Sequence, residues 1–292
     1  MSAPVLLNNL QRQLGGVTIL KNINAQVLPG QVIALLGKNG AGKTTLLETI
    51  LGFGFPSVGV AMLWDKQATE IDGDIKQRIG FVPQQDELLV GMNGWEHLAL
   101  FRAYQSRWNQ TLVDRLIIDW LIPMDTYVGK MSVGQRQKLS ILLALAHEPE
   151  LLVLDEPVAS LDPIARRQFL QQLVDVAADE NRAVIFSTHI VNDVERVANQ
   201  VWILCDGVLV YQGELDELKE TLVRVRLTAN EPLPEKIRWP YLLKQKNQGQ
   251  QTQLTIQHWQ PDMEQQLARE FNAQVEVEYL SLEDIFLELA SW

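Results

Sequence analysis

Cysteine and basic side chains are both scarce in this sequence of 292 residues. The single cysteine, Cys205, has no second thiol with which to form an internal disulfide, so nothing indicates an oxidising compartment. Lys and Arg together number 25 against 36 Asp and Glu, which gives a formal net charge of -11. A protein that covers itself with nucleic-acid phosphates needs the opposite balance, so we expect no nucleic acid partner, although a local basic groove is compatible with this net charge.

Long apolar runs are missing as well. The most apolar stretches are interrupted by Glu48, by Asp119 and by Glu148 with Glu150 before any of them reaches the roughly 18 residues of a membrane span. The first residues, Met1–Asn9, lack the basic start of a signal peptide. We therefore predict that the chain neither crosses a membrane nor is exported, and that it works in the cytoplasm.

Short apolar runs alternate with longer helical patterns through the first part of the chain. Val32–Leu36, Leu151–Leu154 and Ala183–Phe186 are nearly continuous apolar runs, which are typical of parallel strands covered on both faces. Two further apolar runs flank Asp206 and Gly207, a dipeptide typical of tight hairpin turns. The pattern predicts an α/β fold whose sheet also contains antiparallel strands.

A different pattern follows after about residue 220. Val223–Leu227 and Val275–Tyr279 alternate apolar and polar residues, as strands with one buried face do. Apolar residues recur at helical spacing over Met263–Phe271 and again near the end of the chain. We interpret the polar, glutamine-rich tract Lys244–Gln253 as a hairpin loop. The sequence thus predicts one domain over 1–220 and a small α+β domain over 221–292.

A glycine-rich loop joins the strand Val32–Leu36 to a helical pattern over Thr45–Leu51. Its residues match the phosphate-binding P-loop pattern: Gly37, Lys38, Asn39, Gly40, Ala41, Gly42, Lys43 and Thr44. The glycines let backbone N–H groups turn toward phosphate oxygens, and the start of the following helix adds its positive end. Lys43 then reaches the terminal phosphates and Thr44 can bind Mg²⁺. The structural alternative is a plain glycine-rich turn between a strand and a helix.

Two acids end the apolar strand Leu151–Leu154. Asp155 and Glu156 are thereby expected at the carboxyl edge of the sheet, where open α/β folds bind their ligands. There Asp155 suits the Mg²⁺ shell, and Glu156 suits the attacking water as a general base. Taken alone, the two acids followed by Pro157 also fit the start of a helix. Together with the P-loop they favour the functional interpretation.

A helix start is predicted at Ser132. The spacing from Ser132 to Gln135 is that of a capping box, and by itself this structural interpretation is the better one. A capped helix N-terminus with small residues, such as Ser132 and Gly134, is also a site that can bind an anion.

In their order along the chain, these motifs resemble those of the nucleotide-binding subunit of an ATP-binding cassette (ABC) transporter. The resemblance covers about residues 4–220. It identifies the glycine-rich loop as Walker A, Met131–Gln135 as the signature loop and Leu151–Glu156 as Walker B. It adds Gln84 as the Q-loop residue, Ala159–Asp162 as the D-loop and His189 as the switch histidine. The other histidines, His97, His147 and His258, are expected to be structural.

The resemblance implies a fold, a reaction and a set of site residues. The fold is an α/β P-loop NTPase cassette with a RecA-like core, an antiparallel β-subdomain and a helical subdomain over about 86–148. The reaction is ATP hydrolysis with Mg²⁺. The implied catalytic residues are Glu156, His189, Gln84 and Lys43. The implied metal ligands are Thr44, Gln84 and Asp155. The implied nucleotide contacts are Gly37, Lys38, Asn39, Gly40, Ala41, Gly42, Lys43, Thr44, Thr45, Ser132, Gly134 and Gln135.

The resemblance also implies partners. In this family two cassettes enclose two ATP molecules head to tail, so Ser132 and Gly134 are expected to act on the nucleotide of a second chain in a homodimer. A separate transmembrane permease subunit is expected to dock near Gln84–Val90, on the cytoplasmic face of the cell membrane. The single cassette with a small C-terminal domain resembles the type-2 export class. The alternative is a soluble ABC ATPase that acts on the ribosome or on DNA.

Two positions depart from the family pattern. Leu14 stands where the family usually has an aromatic residue that stacks on adenine, which predicts weak discrimination between purines. Val133 replaces the first glycine of the signature pair. Within the helical subdomain, Asn93 is expected to cap a helix whose aromatic residues Trp95 and Phe101 pack inward with Leu98 and Ala103, rather than dock a partner.

Overall fold

This computed structural model describes residues 2–231, 233–248 and 251–290. The chain forms two compact units, which divide between Gln212 and Gly213. The second unit therefore begins earlier than the boundary at 220 that the sequence predicts. The helix Leu215–Thr221 belongs to it, because Leu218 is fully buried and the Thr221 carbonyl accepts a hydrogen bond from the N–H of Trp259.

The strands that begin in the first unit are Val5–Leu14 (β1), Val17–Val27 (β2), Val32–Leu36 (β3), Val58–Leu63 (β4), Lys66–Gln67 (β5), Ile79–Val82 (β6), Leu151–Leu154 (β7), Ala183–Thr188 (β8), Gln200–Cys205 (β9) and Val208–Glu214 (β10). Its helices are Lys43–Ile50 (α1), Gly73–Lys76 (α2), Gly94–Ala103 (α3), Gln110–Asp119 (α4), Val133–Leu145 (α5), Pro163–Ala177 (α6) and Val191–Val197 (α7). Short 3₁₀ turns lie at Ala68–Glu70 and Val128–Lys130.

The central sheet has the strand order β10-β9-β3-β8-β7-β6. Its strands from β9 to β6 run parallel, and every residue of β3, β7 and β8 is buried. This confirms the strands predicted from the three apolar runs. The hairpin predicted at Asp206 and Gly207 is also confirmed, since both residues have positive φ angles, 46° and 79°, as a two-residue hairpin turn requires.

The parallel order brings three strand ends to one edge of this sheet. The glycine-rich loop follows β3, the two acids follow β7, and His189 follows β8. Because Leu36 lies beside Thr188 and Leu154 lies beside Phe186, these segments emerge next to one another. This is the edge at which open α/β sheets bind ligands.

A second, antiparallel sheet of the first unit has the order β2-β1-β4-β5. Its inward side chains, such as Leu7 and Leu20, share one hydrophobic core with Leu46 of α1 and with Ile33 and Ile185 of the central sheet. The glycine-rich loop and α1 therefore lie between two sheets that pack on the same core.

The segment over 86–148 contains α3, α4 and α5, and the cap predicted for α3 is confirmed. Asn93 accepts a hydrogen bond from the N–H of Glu96, and the Glu96 carboxylate accepts one from the N–H of Asn93. The predicted inward packing of Trp95, Phe101 and Ala103 is wrong, because these residues are exposed.

The reason for this error lies on the other face of α3. Gly94, His97 and Leu98 are its buried residues, at spacings of three and one. A Cβ at Gly94 would lie 2.8 Å from atoms of the Met124 side chain, so the helix approaches its neighbour through a glycine rather than through an aromatic ring.

The second unit contains α8 (Leu215–Thr221), β11 (Val223–Ala229), β12 (Leu242–Gln248), β13 (Gln251–Ile256), α9 (Asp262–Glu270), β14 (Ala273–Tyr279) and α10 (Leu282–Leu289). Its antiparallel sheet has the order β12-β13-β11-β14, and Val225, Leu254 and Leu267 belong to its core. The predicted alternating strands pair directly, with Val225 opposite Val277, and both predicted helices are present.

The interpretation of Lys244–Gln253 as a loop is wrong for most of its length. The tract forms the paired strands β12 and β13, and its predicted centre, Gly249, lies outside the described residues. Polar strand residues are accommodated here because their hydrogen bonds are satisfied. Gln245 accepts from the N–H of Ile237 at 2.8 Å and donates to the carbonyl of Pro234 at 3.2 Å.

Candidate nucleotide-binding and hydrolysis site

The glycine-rich loop has a backbone that only glycine adopts easily. Gly40 and Gly42 have φ angles of 82° and 105°, and Gly42 is the N-cap residue of α1. A Cβ at Gly40 would meet nothing within 4 Å, so the loop is open at this point. At Gly37, by contrast, a Cβ would lie 2.7 Å from the carbonyl oxygen of Leu204. The loop is therefore tightly packed at its start and open at its tip.

The hairpin turn between β9 and β10 supports this loop from below. The N–H of Gly207 donates to the carbonyl of Ala41 at 3.1 Å, and the Gly207 carbonyl accepts from Lys21 of β2 at 2.8 Å. A Cβ at Gly207 would lie 1.9 Å from the Ile19 carbonyl. Ala41 itself is buried in the hydrophobic core, and this predicted contact residue does not line the cavity.

Lys43 is the buried cation of the site, with 7% of its side chain exposed. Its Nζ donates to the Gly37 carbonyl at 2.7 Å and lies 3.3 Å from Glu156 Oε1. A lysine buried in this way needs such partners, because an unpaired charge is costly to remove from water. The contacts hold the ammonium group between the loop and the second of the two acids.

The two acids lie where β7 ends, and each is buried. Asp155 is 1% exposed and Glu156 is 7% exposed. Glu156 has a φ angle of 48°, a left-handed conformation that is uncommon outside glycine. Pro157 does not begin a helix, since the next helix, α6, starts at Pro163. The helix-start alternative for these acids is therefore wrong.

His189 contacts the second acid from the neighbouring strand. Its Nδ1 lies 2.8 Å from Glu156 Oε2, while 56% of its side chain is exposed. Glu156 thus has Lys43 on one carboxylate oxygen and His189 on the other. An exposed imidazole on a buried carboxylate can sense or donate to a group that approaches from solvent.

Two adjoining cavities open at this edge of the sheet. One, of about 360 Å³, is lined by Leu14, Ile19, Lys38, Asn39, Gly40, Gly42, Lys43, Thr44, Thr45, Gln84 and Glu156. The other, of about 260 Å³, brings together the three predicted metal ligands Thr44, Gln84 and Asp155. Within the described residues there is no group of three or more His, Cys, Asp or Glu side chains that could hold a metal ion.

The predicted signature residues are not among the lining of either cavity. Ser132 is the N-cap of α5: it accepts from the N–H of Gln135 at 3.2 Å, and its own N–H donates to Gln135 Oε1 at 2.8 Å. The predicted capping box is thus confirmed. Ser132 and Val133 are exposed, and a Cβ at Gly134 would lie 3.1 Å from the carbonyl oxygen of Ser160.

The predicted D-loop ends in the cap of another helix. Asp162 accepts hydrogen bonds from the N–H groups of Ala165 and Ile164 at the start of α6. These hydrogen bonds hold the pKa of Asp162 below its ordinary value, and the bond from Ala165 has the larger effect of the two. Asp162 is therefore an anion at neutral pH, and its negative charge suits a helix N-terminus.

The segment after Gln84 forms an ion pair with α5, the helix that begins at the predicted signature loop. Asp86 forms an ion pair with Arg136 at 2.9 Å, and Arg136 also donates to the carbonyl of Met131 at 2.9 Å. Beside them lies a groove of about 550 Å³, and Val90 and Val133 are among its exposed apolar lining.

Three residues of the site escaped the sequence analysis. Ile19 lines the larger cavity, Gly207 supports the loop, and Ser187 contacts both acids. The Asp206 and Gly207 pair predicted the turn but not what the turn touches. The positions of the other two depend on which strands are neighbours, and a single sequence carries no direct signal of that.

Comparison with known proteins agrees with this geometry. The ABC transporter family model matches residues 20–159. YtrB, an ABC transporter ATP-binding protein of Bacillus subtilis, is 29% identical over 221 residues, covering 76% of this chain and 75% of that protein. The Nod factor export ATP-binding protein I of Cupriavidus metallidurans is 30% identical over 247 residues, covering 76% of this chain and 81% of that protein.

This chain belongs to the ABC transporter family. It is an ATP-binding and ATP-hydrolysing subunit of that family, and its α/β P-loop cassette fold is confirmed. A solved ATP-binding subunit of an ABC transporter superposes with a TM-score of 0.68 at 25% identity, covering 74% of this chain and 92% of that one. These relatives give no support to the alternative of an ATPase that acts on the ribosome or on DNA.

Among the residues that the structure describes, no helix has the length and apolar character needed to cross a membrane.

Proposed function

We propose that this chain is the ATP-driven motor of an export-type ABC transporter and that it acts through a separate transmembrane permease subunit at the cytoplasmic face of the membrane. The observation that carries the proposal is the cluster at the sheet edge, where Lys43 and His189 contact the two oxygens of Glu156 beside the open loop. The export direction is supported by the Nod factor relative, whose name describes an export protein.

The loop and Lys43 bind the phosphates of ATP. Backbone N–H groups between Gly37 and Thr44 point their dipoles at the anion, and Lys43 spreads the charge that develops on the transferred phosphoryl group. Thr45 and Lys38 line the same cavity and contact the nucleotide beside the loop. Leu14 and Ile19, the two large apolar residues in the lining of this cavity, cover the base.

Glu156 acts on the attacking water. A carboxylate fixed on both oxygens by Lys43 and His189 accepts a proton from water at the side of the terminal phosphate. His189 contacts that phosphate from its exposed face. Gln84 lines both cavities, where it can report the presence of the phosphate to the permease.

The residues around the smaller cavity suit Mg²⁺. This ion prefers oxygen ligands, and Thr44, Gln84 and Asp155 offer a hydroxyl, an amide and a carboxylate oxygen. When bound with ATP, Mg²⁺ neutralises part of the charge on the phosphates. Asp155 keeps its carboxylate at this position because it is buried and hydrogen-bonded.

We further propose a homodimer in which Ser132, Gly134 and Gln135 complete the site of a second chain. Two observations support it: these residues are absent from the lining of their own chain's cavities, and the helix N-terminus that they form is exposed. Such an N-terminus attracts the terminal phosphate of ATP. The second unit then acts as an accessory domain, since no proposed site residue lies in it.

A pair of substitutions tests the motor. Lys43→Ala removes the buried cation and is expected to abolish ATP binding. Glu156→Gln keeps the side chain's size and is expected to retain ATP, trap a closed dimer and lower turnover by about a hundredfold or more, as loss of a general base does. Turnover, nucleotide binding and mass in solution with ATP are measured with and without the permease.

Glu150→Gln is the matched control, since Glu150 is a partly exposed acid paired with Arg78 and Arg107. It should hydrolyse ATP as the wild type does. Near-wild-type turnover in both Lys43→Ala and Glu156→Gln would overturn the assignment. A Glu156→Gln protein that stays monomeric with ATP, both alone and with the permease, would overturn the homodimer.

A further inference from the structure

Ser187 lies between the two acids of the site and bonds to both. Its hydroxyl oxygen accepts a hydrogen bond from the N–H of Glu156 at 2.8 Å and donates one to Asp155 Oδ1. Its side chain is completely buried. One hydroxyl therefore donates a hydrogen bond to Asp155 and accepts one from Glu156, the next residue along the chain.

The pairing of β7 with β8 puts Ser187 in this position. Leu154 lies beside Phe186 in the parallel register, so the next residues along each strand, Asp155 and Ser187, meet at the sheet edge. Here β7 ends while β8 continues to Thr188. The serine hydroxyl thus hydrogen-bonds to a backbone N–H and a side-chain carboxylate of the two residues that follow β7, where the ladder between the two strands ends.

The bond to Glu156 holds an unusual backbone conformation. A left-handed φ of 48° at a glutamate persists only where its surroundings hold it. The N–H of Glu156 is buried, and an unsatisfied buried N–H is costly, so the Ser187 oxygen favours this conformation over others. The same conformation directs the Glu156 side chain to Lys43 and His189.

The bond to Asp155 stabilises a carboxylate that water scarcely reaches. With 1% of its surface exposed, this side chain needs hydrogen-bond donors from the protein. Ser187 donates to one of its oxygens and thereby fixes the orientation of the whole carboxyl group. Removing a group that hydrogen-bonds to a metal ligand in this way typically lowers metal affinity or activity by about 10- to 100-fold.

We propose that Ser187 is a positioning residue that sets Asp155 and Glu156 in their relative orientation, through one hydroxyl bonded to both. This inference rests on the proposed roles of the two acids. It predicts that loss of the hydroxyl impairs the use of Mg²⁺ and the chemical step while the binding of the nucleotide phosphates by the loop and Lys43 is kept.

The experiment compares three variants of the full-length chain with the wild type. Ser187→Ala removes the hydroxyl and adds no volume, and Ser187→Thr restores it. Ser140→Ala is the matched control, because Ser140 is also buried in the first unit but lies in α5. For each protein we would measure the unfolding temperature, turnover, and the affinity and stoichiometry of a fluorescent ATP analogue in EDTA and in excess Mg²⁺.

We expect Ser187→Ala to bind the analogue in EDTA with unchanged stoichiometry and within about twofold of the wild-type affinity. Its gain in affinity on adding Mg²⁺ should shrink by about tenfold, and its kcat should fall by about tenfold or more. Ser187→Thr should recover most of both losses, and Ser140→Ala should match the wild type in both. A purely structural role would instead lower the binding stoichiometry in EDTA and in Mg²⁺ alike.

Two results would overturn the inference while leaving the proposed function standing: a Ser187→Ala protein that retains wild-type kcat and Mg²⁺ dependence, or a loss of analogue binding that is equal in EDTA and Mg²⁺. The proposed function fails separately, by the near-wild-type turnover of both Lys43→Ala and Glu156→Gln. The two failures are thus distinguishable in one set of proteins.

Discussion

Two regions of the first unit carry the motif residues, and they are built in opposite ways. At the sheet edge, Lys43, Asp155 and Glu156 are buried, and each is bound to another group of the same chain. At the start of α5, the side chains of Ser132 and Gln135 form the two reciprocal bonds of the capping box, and Ser132 is exposed. In the first region, contacts within the chain hold the buried charged groups in place. In the second region, the capped start of a helix is exposed to solvent.

This difference indicates which step each region controls. Preorganised buried charges bind a phosphate without rearrangement, so the sheet edge should determine nucleotide affinity in a single chain. An exposed helix N-terminus contributes only when another molecule is brought to it. The start of α5 should therefore affect assembly and turnover, and leave the first binding step unchanged.

The largest effect is expected from a substitution at Gly37, which is the most closely packed glycine of the loop at the sheet edge. In Gly37→Ala the new Cβ would lie 2.7 Å from the Leu204 carbonyl, so the loop must move, and with it the Gly37 carbonyl that holds Lys43. We expect ATP affinity to fall by about a hundredfold, which corresponds to about 3 kcal/mol. Titration with a fluorescent ATP analogue measures it.

Gly73→Ala is the control for this substitution. A Cβ at Gly73 meets nothing within 4 Å, and the residue starts the short helix α2 away from the cavities. It should leave ATP affinity unchanged. Equal affinities in the two variants would show that the close packing at Gly37 does not matter for nucleotide binding.

A smaller effect is expected at the start of α5. Ser132→Ala removes the cap and should cost about 1 kcal/mol of stability. It should also lower turnover by about tenfold with little change in the ATP affinity of a single chain, because in the proposed homodimer Ser132 serves the second chain's site. Unfolding temperature, ATP affinity and turnover are compared in one set of measurements.

Ser281→Ala separates the cap from the site. Ser281 caps α10 in the second unit with the same type of bond, accepting from the N–H of Asp284 at 3.1 Å. It should lose similar stability and keep its turnover. If Ser281→Ala and Ser132→Ala lose turnover equally, the proposed contact across the dimer is wrong.

The smallest effect concerns the base, which neither region binds. Leu14 is 45% exposed at the end of β1 and lines the larger cavity. Leu14→Tyr supplies a ring for stacking, worth about 1 kcal/mol at the lower end of the range in other systems, so ATP affinity should rise by about fivefold. The ratio of ATP to GTP affinity in the wild type should stay below about a hundredfold, since leucine has no π-face to offer the base.

Val17→Tyr is the control for the base. Val17 faces Leu14 across the β1–β2 hairpin, is 62% exposed and does not line the cavity. A tyrosine there should leave both affinities unchanged. An equal gain in both variants would mean that the ring acts through general surface contact rather than by covering the base.

The parts of the molecule that were predictable are those with local causes. The loop around Gly40, the cap at Ser132 and the turn at Asp206 and Gly207 each depend on residues a few positions apart, so the sequence predicts them. The apolar runs predicted the central strands because burial on both faces leaves little choice of side chain.

The parts that were missed depend on contacts between distant segments. Helical spacing groups Trp95, Leu98 and Phe101, but it does not say which face of α3 meets the core, and that face approaches Met124 through a glycine. The two hydrogen bonds of the Ser187 hydroxyl form only because β7 and β8 are neighbours in register. The family resemblance supplied His189, whose contact with Glu156 no local pattern could indicate.

The hairpin turn at Gly207 supports the binding site although it does not line the cavities. Gly207 is hydrogen-bonded both to the loop at Ala41 and to β2 at Lys21. In a saturation mutagenesis screen scored by nucleotide retention, position 207 should therefore fall in the same sensitivity class as position 42, although the two are far apart in sequence. Intolerance at this turn would then show that the loop needs its bonds to Gly207 in order to retain a nucleotide.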